Sequence, residues 1–205
     1  MNEELEKAEI IEEPKSLTVF PPSDNSQKIK EEIISWVKTI VGTLVFVFVC
    51  INFIFRPVEV QGMSMNPTLA DGQRIIVWQL FYTPSPSDII VLEHTDGYLH
   101  VKRIIGVPGD HIDYIDSQMI INNELVNEPY IMQEPSRNSF YFEDVCQIRN
   151  SDTDCDYIPE GYFLVLGDNR NRSGDSREYG LVHESQIMGR AILRFFPFTN
   201  VGILR

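Results

Sequence analysis

Residues 40–55 read IVGTLVFVFVCINFIF, residues 56–62 read RPVEVQG, and the chain changes character between them. The apolar run reaches back to Ile33, and over the 23 residues from Ile33 to Phe55 the only charge is Lys38. As a helix, 23 residues span about 34 Å at roughly 1.5 Å each, enough to cross a bilayer core of about 30 Å. A cleaved leader would begin near residue 1 and end in a small-x-small site. Here the run starts 32 residues in, and Phe55-Arg56-Pro57-Val58-Glu59 offers no small pair. A buried core helix would need partners around its whole circumference. Residues 33–55 are therefore read as a transmembrane signal anchor.

Lys28, Lys30 and Lys38 lie before or at the start of this span, against Arg56 alone close behind it. The excess of basic residues on one side predicts a cytoplasmic N-terminus, with residues 56–205 outside. Residues 1–32 are read as a disordered cytoplasmic tail, since residues 1–27 carry seven acids, two lysines and Pro14, Pro21 and Pro22 without periodicity. The net charge of −13 excludes a nucleic-acid partner, because phosphate binding needs clustered Lys and Arg.

Beyond Arg56 the pattern becomes short β-type stretches broken by Gly, Pro, Asp and Asn. They are Val58–Gln61, Arg74–Leu80, Asp88–Leu92, Leu99–Ile105, His111–Ile115, Gln118–Ile121, Tyr162–Leu166 and Gln186–Phe196. Residues 56–205 are expected to form one antiparallel all-β domain, with residues 127–160 as an irregular excursion. Trp78, Phe81 and Tyr82 cluster at one strand end, fit equally for core packing or for a membrane interface. Cys50 lies in the apolar run. Cys146 and Cys155 bracket a short polar loop and form either a disulfide, favoured outside the cytoplasm, or two free thiols.

Three stretches can carry chemistry. In Val58-Glu59-Val60-Gln61-Gly62-Met63-Ser64, alternation places Val58, Val60 and Gly62 on the face that ends at Ser64. A serine beside bare backbone is a candidate nucleophile, although an arbitrary serine more often just turns a corner. In Leu99-His100-Val101-Lys102-Arg103-Ile104, the lysine alternates with Val101 and Arg103 and shares a face with His100 and Ile104. It is the single lysine of residues 56–205, whose other 11 bases are arginine. A solvated surface lysine is the bland reading, but an amine that must lose its proton cannot be replaced by guanidinium. Burial would lower its pKa and free a base. The third stretch, Gly167-Asp168-Asn169-Arg170-Asn171-Arg172-Ser173-Gly174-Asp175-Ser176-Arg177, is rich in oxygen ligands. Its spacing fails the EF-hand pattern in either register, and its three arginines oppose a cation. Asp–Arg pairs with a serine that orients a neighbour fit it better. His94, His100, His111 and His183 show no paired metal spacing.

Together and in this order, Gly62-x-Ser-Met-x-Pro-Thr-Leu69, Lys102-Arg-Ile-Ile-Gly-x-Pro-Gly-Asp110 and the Gly167–Arg177 block resemble bacterial type I signal peptidases, the Ser-Lys dyad family. The resemblance implies a membrane-bound serine endopeptidase that removes signal peptides from exported preproteins after small residues at −1 and −3. It implies Ser64 as nucleophile, Lys102 as general base and Ser173 as the hydroxyl holding the lysine, with Asp175 and Arg177 bracing the loop. Val58, Val60, Met65, Leu69, His100 and Val101 match positions that line the substrate pockets. The Ser64 N–H would be one oxyanion donor. Some relatives add a hydroxyl where this chain has Gly62, so the second donor is open. Ser87 and His100 depart from the usual residues, which bears on one turn and on pocket shape. No cofactor or metal is implied, and a monomer in a bacterial cytoplasmic membrane, or a thylakoid-type one, is expected. A self-cleaving Ser-Lys repressor would need a DNA-binding domain in place of the span. An inactive relative would lack Ser64 or Lys102.

Overall fold

The computed structural model describes residues 25–94, 97–131, 139–147 and 156–204. The chain divides between Val45 and Phe46. Helix α1 runs Asn25–Val49 and widens into a π-turn, Cys50–Ile54. It begins eight residues before Ile33, because Gln27-Lys28-Ile29-Lys30-Glu31-Glu32 are good helix formers that extend it past the apolar run. Ser26–Ile54 is the one stretch among the described residues long and apolar enough to cross a membrane, and none of its apolar window is buried. Its polar interruptions are satisfied locally. Thr39 and Thr43 donate to the carbonyls four residues back at 3.0 and 2.8 Å, and Asn52 does the same to Phe48 at 2.8 Å. That is how polar side chains are tolerated where water is absent.

The remainder is mainly antiparallel β, as the pattern predicts. One sheet holds β1 (Phe55–Glu59), β2 (Arg74–Trp78), β3 (Ile89–Glu93), β4 (Leu99–Gly106), β8 (Tyr162–Leu166), β9 (Val182–His183), β10 (Ile187–Phe196) and β11 (Gly202–Ile203). Its order is β1-β2-β10-β3-β4-β8-β9, with β11 on β10. A second, three-stranded sheet holds β5 (Ile112–Ile115), β6 (Gln118–Ile121) and β7 (Glu124–Val126). Two short helices, α2 (Phe142–Gln147) and α3 (Ser176–Tyr179), complete the list. α3 is capped at its N-terminus by the Asp175 carboxylate.

The alternation of β4 decides the interior. Val101 joins Val58, Val60, Met65, Leu69, Ile75, Val77, Ile89 and Val91 in one apolar cluster. Ile104, on the opposite face, joins Ile90, Leu92, Phe163, Val165 and Val182 in another. Lys102 pairs with Ile90 and Arg103 with Ile89 on β3, so both charged residues enter a strand buried on two faces. A third cluster, including Ile112, Tyr114, Met119, Phe142 and Leu164, lies under the small sheet.

Four expectations change. Residues 25–32, read as part of a disordered tail, are helical, and Phe55, read as the last residue of the span, opens β1. The strand before Ser64 ends at Glu59 rather than Gln61, since Gly62 turns the chain at φ 82°. Ser64 therefore sits in a turn instead of at a strand's end, although the hairpin ladder continues through Val60 N–H to Gln73 O at 2.8 Å. The aromatic trio also splits: Phe81 is 95% exposed and Trp78 48%, whereas Tyr82 packs inward and donates to Asp88 at 2.9 Å. Cys146 is disulfide-bonded and Cys50 is free. Cys155 and residues 1–24 of the tail lie outside the described residues.

Candidate active site

Ser64 is half-buried in the turn between β1 and β2. The loop after β8 grips this turn twice: Asn169 N–H donates to the Ser64 carbonyl at 2.9 Å, and Asn169 Nδ2 donates to the Met63 carbonyl at 3.1 Å. Asp71 Oδ1 accepts the Gly62 N–H at 2.6 Å. Thr68 Oγ1 donates to Asp168 Oδ2 at 2.5 Å, and Arg103 clasps the same carboxylate through Nε at 2.9 Å and Nη2 at 2.7 Å. The three sequence blocks thus meet at Asp168.

Gly167 is where Ser64 and Ser173 come together. A β-carbon there would run into the Ser64 carbonyl oxygen and into Ser173 Oγ and Cβ. Only glycine lets the loop backbone pass between the two serines. Ser173 Oγ is buried and has no hydrogen-bond partner among the described residues. A buried hydroxyl in that state is costly unless something fills the gap, so it marks a place poised for a donor or acceptor.

Lys102 is 3% exposed on the central strand. Burial pulls its pKa from 10.5 down to about 8; Asp175 and Glu178 oppose that fall and Arg177 adds to it. Asp175 is fully buried and accepts from Gly167 N–H at 3.0 Å and from Arg177 Nε and Nη2, both at 2.8 Å. Much of its negative charge is spent on these partners, which leaves the desolvation of the amine in command. The structure thus holds a half-buried hydroxyl in the turn between β1 and β2, a buried amine on β4 with a pKa lowered to about 8, and an unpartnered hydroxyl in the loop after β8.

Of the residues matched to substrate pockets, Val58, Val60, Met65, Leu69 and Val101 share one cluster. His100 lies apart from them on the Lys102 face, stacked on His94 with ring centroids 4.8 Å apart. Strict alternation along β4 sends it there. Residues 128–130 gave no signal in the sequence, yet Glu128 is buried against Arg170. Among the described residues no group of three or more His, Cys, Asp or Glu is placed to hold a metal ion.

The β-scaffold brings the three blocks together at Asp168, and a family model described as "Signal peptidase, peptidase S26" matches residues 33–196. The chain belongs to that family. It is 35% identical over 179 residues to signal peptidase IB of Staphylococcus aureus (strain COL), covering 84% of this chain and 94% of the relative. It is 35% identical over 183 residues to signal peptidase I of Bacillus licheniformis, covering 87% of this chain and 96% of that protein. A crystal structure of a signal peptidase I from Enterococcus faecalis V583 matches with 32% identity and a TM-score of 0.45, over 53% of this chain and 97% of that one.

Proposed function

We propose that the chain is a single-pass, membrane-anchored endopeptidase that cuts signal peptides from exported preproteins, with Ser64 as nucleophile and Lys102 as general base. The observation that carries this reading is the burial of Lys102, whose amine is neutral in about a tenth of molecules at pH 7 and in half near pH 8. The neutral Nζ takes the proton of Ser64 Oγ, and the oxygen attacks the carbonyl carbon of the scissile bond. The ammonium then gives that proton to the leaving amine as the C–N bond breaks. Water repeats the sequence on the acyl-enzyme, its proton passing to Lys102 and then to Ser64. Ser173 Oγ supplies a hydrogen bond that holds the amine in line, with Asp175 and Arg177 bracing the loop.

The oxyanion is met by the Ser64 N–H. The Gly62 N–H is engaged by Asp71 and does not serve as a second donor without losing that bond. Val58, Val60, Met65, Leu69 and Val101 pack in one apolar cluster, which supports pockets for small side chains at −1 and −3. The enzyme acts as a monomer in a bacterial cytoplasmic membrane, with residues 1–32 in the cytoplasm, residues 33–54 crossing the bilayer and residues 55–205 outside.

The test is turnover of a preprotein by the full-length protein in detergent, with the new N-terminus sequenced. Ser64→Ala, Lys102→Ala and Lys102→Arg should all be inactive, because a guanidinium with a pKa above about 12 cannot act as base. Substantial activity in Lys102→Arg would reduce Lys102 to an electrostatic group. A chelator should leave the rate unchanged.

A further inference from the structure

Glu128 lies in the stretch after β7, far in sequence from the three blocks, and its side chain is 4% exposed. We propose that Glu128 is a positioning residue for catalysis, acting through Arg170 to fix the Gly167 backbone on which Ser64 and Ser173 are both seated. The inference rests on the Ser64–Lys102 reading and adds to it a group that touches no reacting atom.

The chain of contacts is continuous. Glu128 Oε2 accepts from Arg170 Nη1 at 2.9 Å, and Oε1 accepts from Arg170 Nη2. Arg170 Nε donates to the Gly167 carbonyl at 3.1 Å, and the Arg170 carbonyl accepts from Arg177 Nη2 at 2.9 Å. Gly167 N–H is held from its other side by Asp175. One residue thus has its carbonyl tied to Arg170 and its N–H tied to Asp175, while its α-carbon passes between the Ser64 carbonyl and Ser173. A shift of the Arg170 side chain moves both serines.

Tyr130 makes the clamp stiffer. Its hydroxyl donates to Glu128 Oε1 at 2.8 Å, and the Arg103 guanidinium lies over its ring at 4.0 Å. Burial, and then the Glu128 carboxylate, push the phenol's pKa up, so it remains a donor at every relevant pH. Burial works against the charge of Arg170, but the hydrogen bonds and charge of Glu128 outweigh it and its pKa is raised. The same Arg103 holds Asp168, which binds Thr68 in the nucleophile's own turn. Removing one partner from such a buried pair strands the other, so the loop must rearrange. Displacements of about an ångström in a catalytic alignment cost up to roughly 100-fold in rate.

The experiment compares full-length Glu128→Gln, Tyr130→Phe and Val182→Ala, the last a core truncation in β9, which pairs with β8 at the end away from Gly167. Each is assayed for kcat, KM, the pH midpoint of kcat and Tm. Glu128→Gln should lower kcat by roughly 10- to 100-fold with KM within about twofold. Its pH midpoint should move up, because a loosened loop admits water to Lys102 and weakens the desolvation that lowers its pKa. Tyr130→Phe should move kcat and midpoint the same way by a smaller factor, and it decides the matter if Glu128→Gln does not fold. Val182→Ala should lose Tm while keeping kcat and midpoint. An unchanged kcat and midpoint in the folded variant, or a kcat loss that merely follows Tm, overturns the proposal. Ser64→Ala and Lys102→Ala run alongside: activity in either sinks the dyad, whereas two dead variants beside a fully active Glu128→Gln sink the positioning role alone.

Discussion

A buried amine is a stability cost as well as the base we propose, and for Lys102 both effects have a sign. The group titrates at about 8 in the fold and at 10.5 ordinarily, a gap that corresponds to about 3 kcal/mol. Below pH 8 the fold holds a charge it disfavours. Between about 8 and 10.5 the unfolded chain binds the proton and the folded one does not, so stability rises with pH through that window. Lys102→Met is accordingly expected to be inactive yet more stable than the parent at pH 7, by up to about 3 kcal/mol, with the advantage gone above about pH 10.5. Denaturant titration of both proteins at the two pH values checks this; equal stability at pH 7 would mean that the amine is not desolvated. The parent's rate should climb as pH rises through 8. Lys102 could be read from the sequence because it stands alone among arginines in its domain. Glu128 could not: it is one acid among 21 in residues 56–205, and its burial is decided by Arg170, 42 positions away.

Strands long enough to alternate were legible, and those that owe their existence to a neighbour were not. β4, β6, β8 and β10 fall within a residue of their expected bounds. By contrast β7, β9 and β11 have two or three residues each, too few for a period, and form only by pairing with β6, β8 and β10. The helix α3 was missed because its signal is a cap, Asp175, rather than an amphipathic pattern. The aromatic end of β2 carries its own prediction. Phe55 pairs with Trp78, and Gln79 N–H donates to the Ile54 carbonyl at 3.1 Å, so the exposed Trp78 lies one residue from where the apolar stretch ends. If that stretch crosses the bilayer, this strand end sits at the interface, where Trp is favoured. In the full-length Trp36→Phe protein Trp78 is the only tryptophan, and brominated lipids should quench its fluorescence in vesicles. Absence of quenching would return it to ordinary surface. Tyr82, tied to Asp88, should be insensitive to lipid and costly to remove.

Across the whole molecule, the distribution of charge supports the proposed placement. Lys28, Lys30 and Lys38 lie before or at the start of the apolar run, against Arg56 alone close behind it, a bias that predicts residues 56–205 on the outer side. Protease added to right-side-out vesicles should therefore reach the region beyond Arg56 and spare the N-terminal tail. Digestion of the tail instead would reverse the topology. The same uneven use of bases has a spectroscopic consequence. Five of the six lysines lie at or before residue 38, and the sixth is sealed within the β-sheet. With lysine isotopically enriched, the full-length protein should give one amine resonance that moves near pH 8, so that the ionisation of the proposed base could be followed by itself, in the absence of substrate.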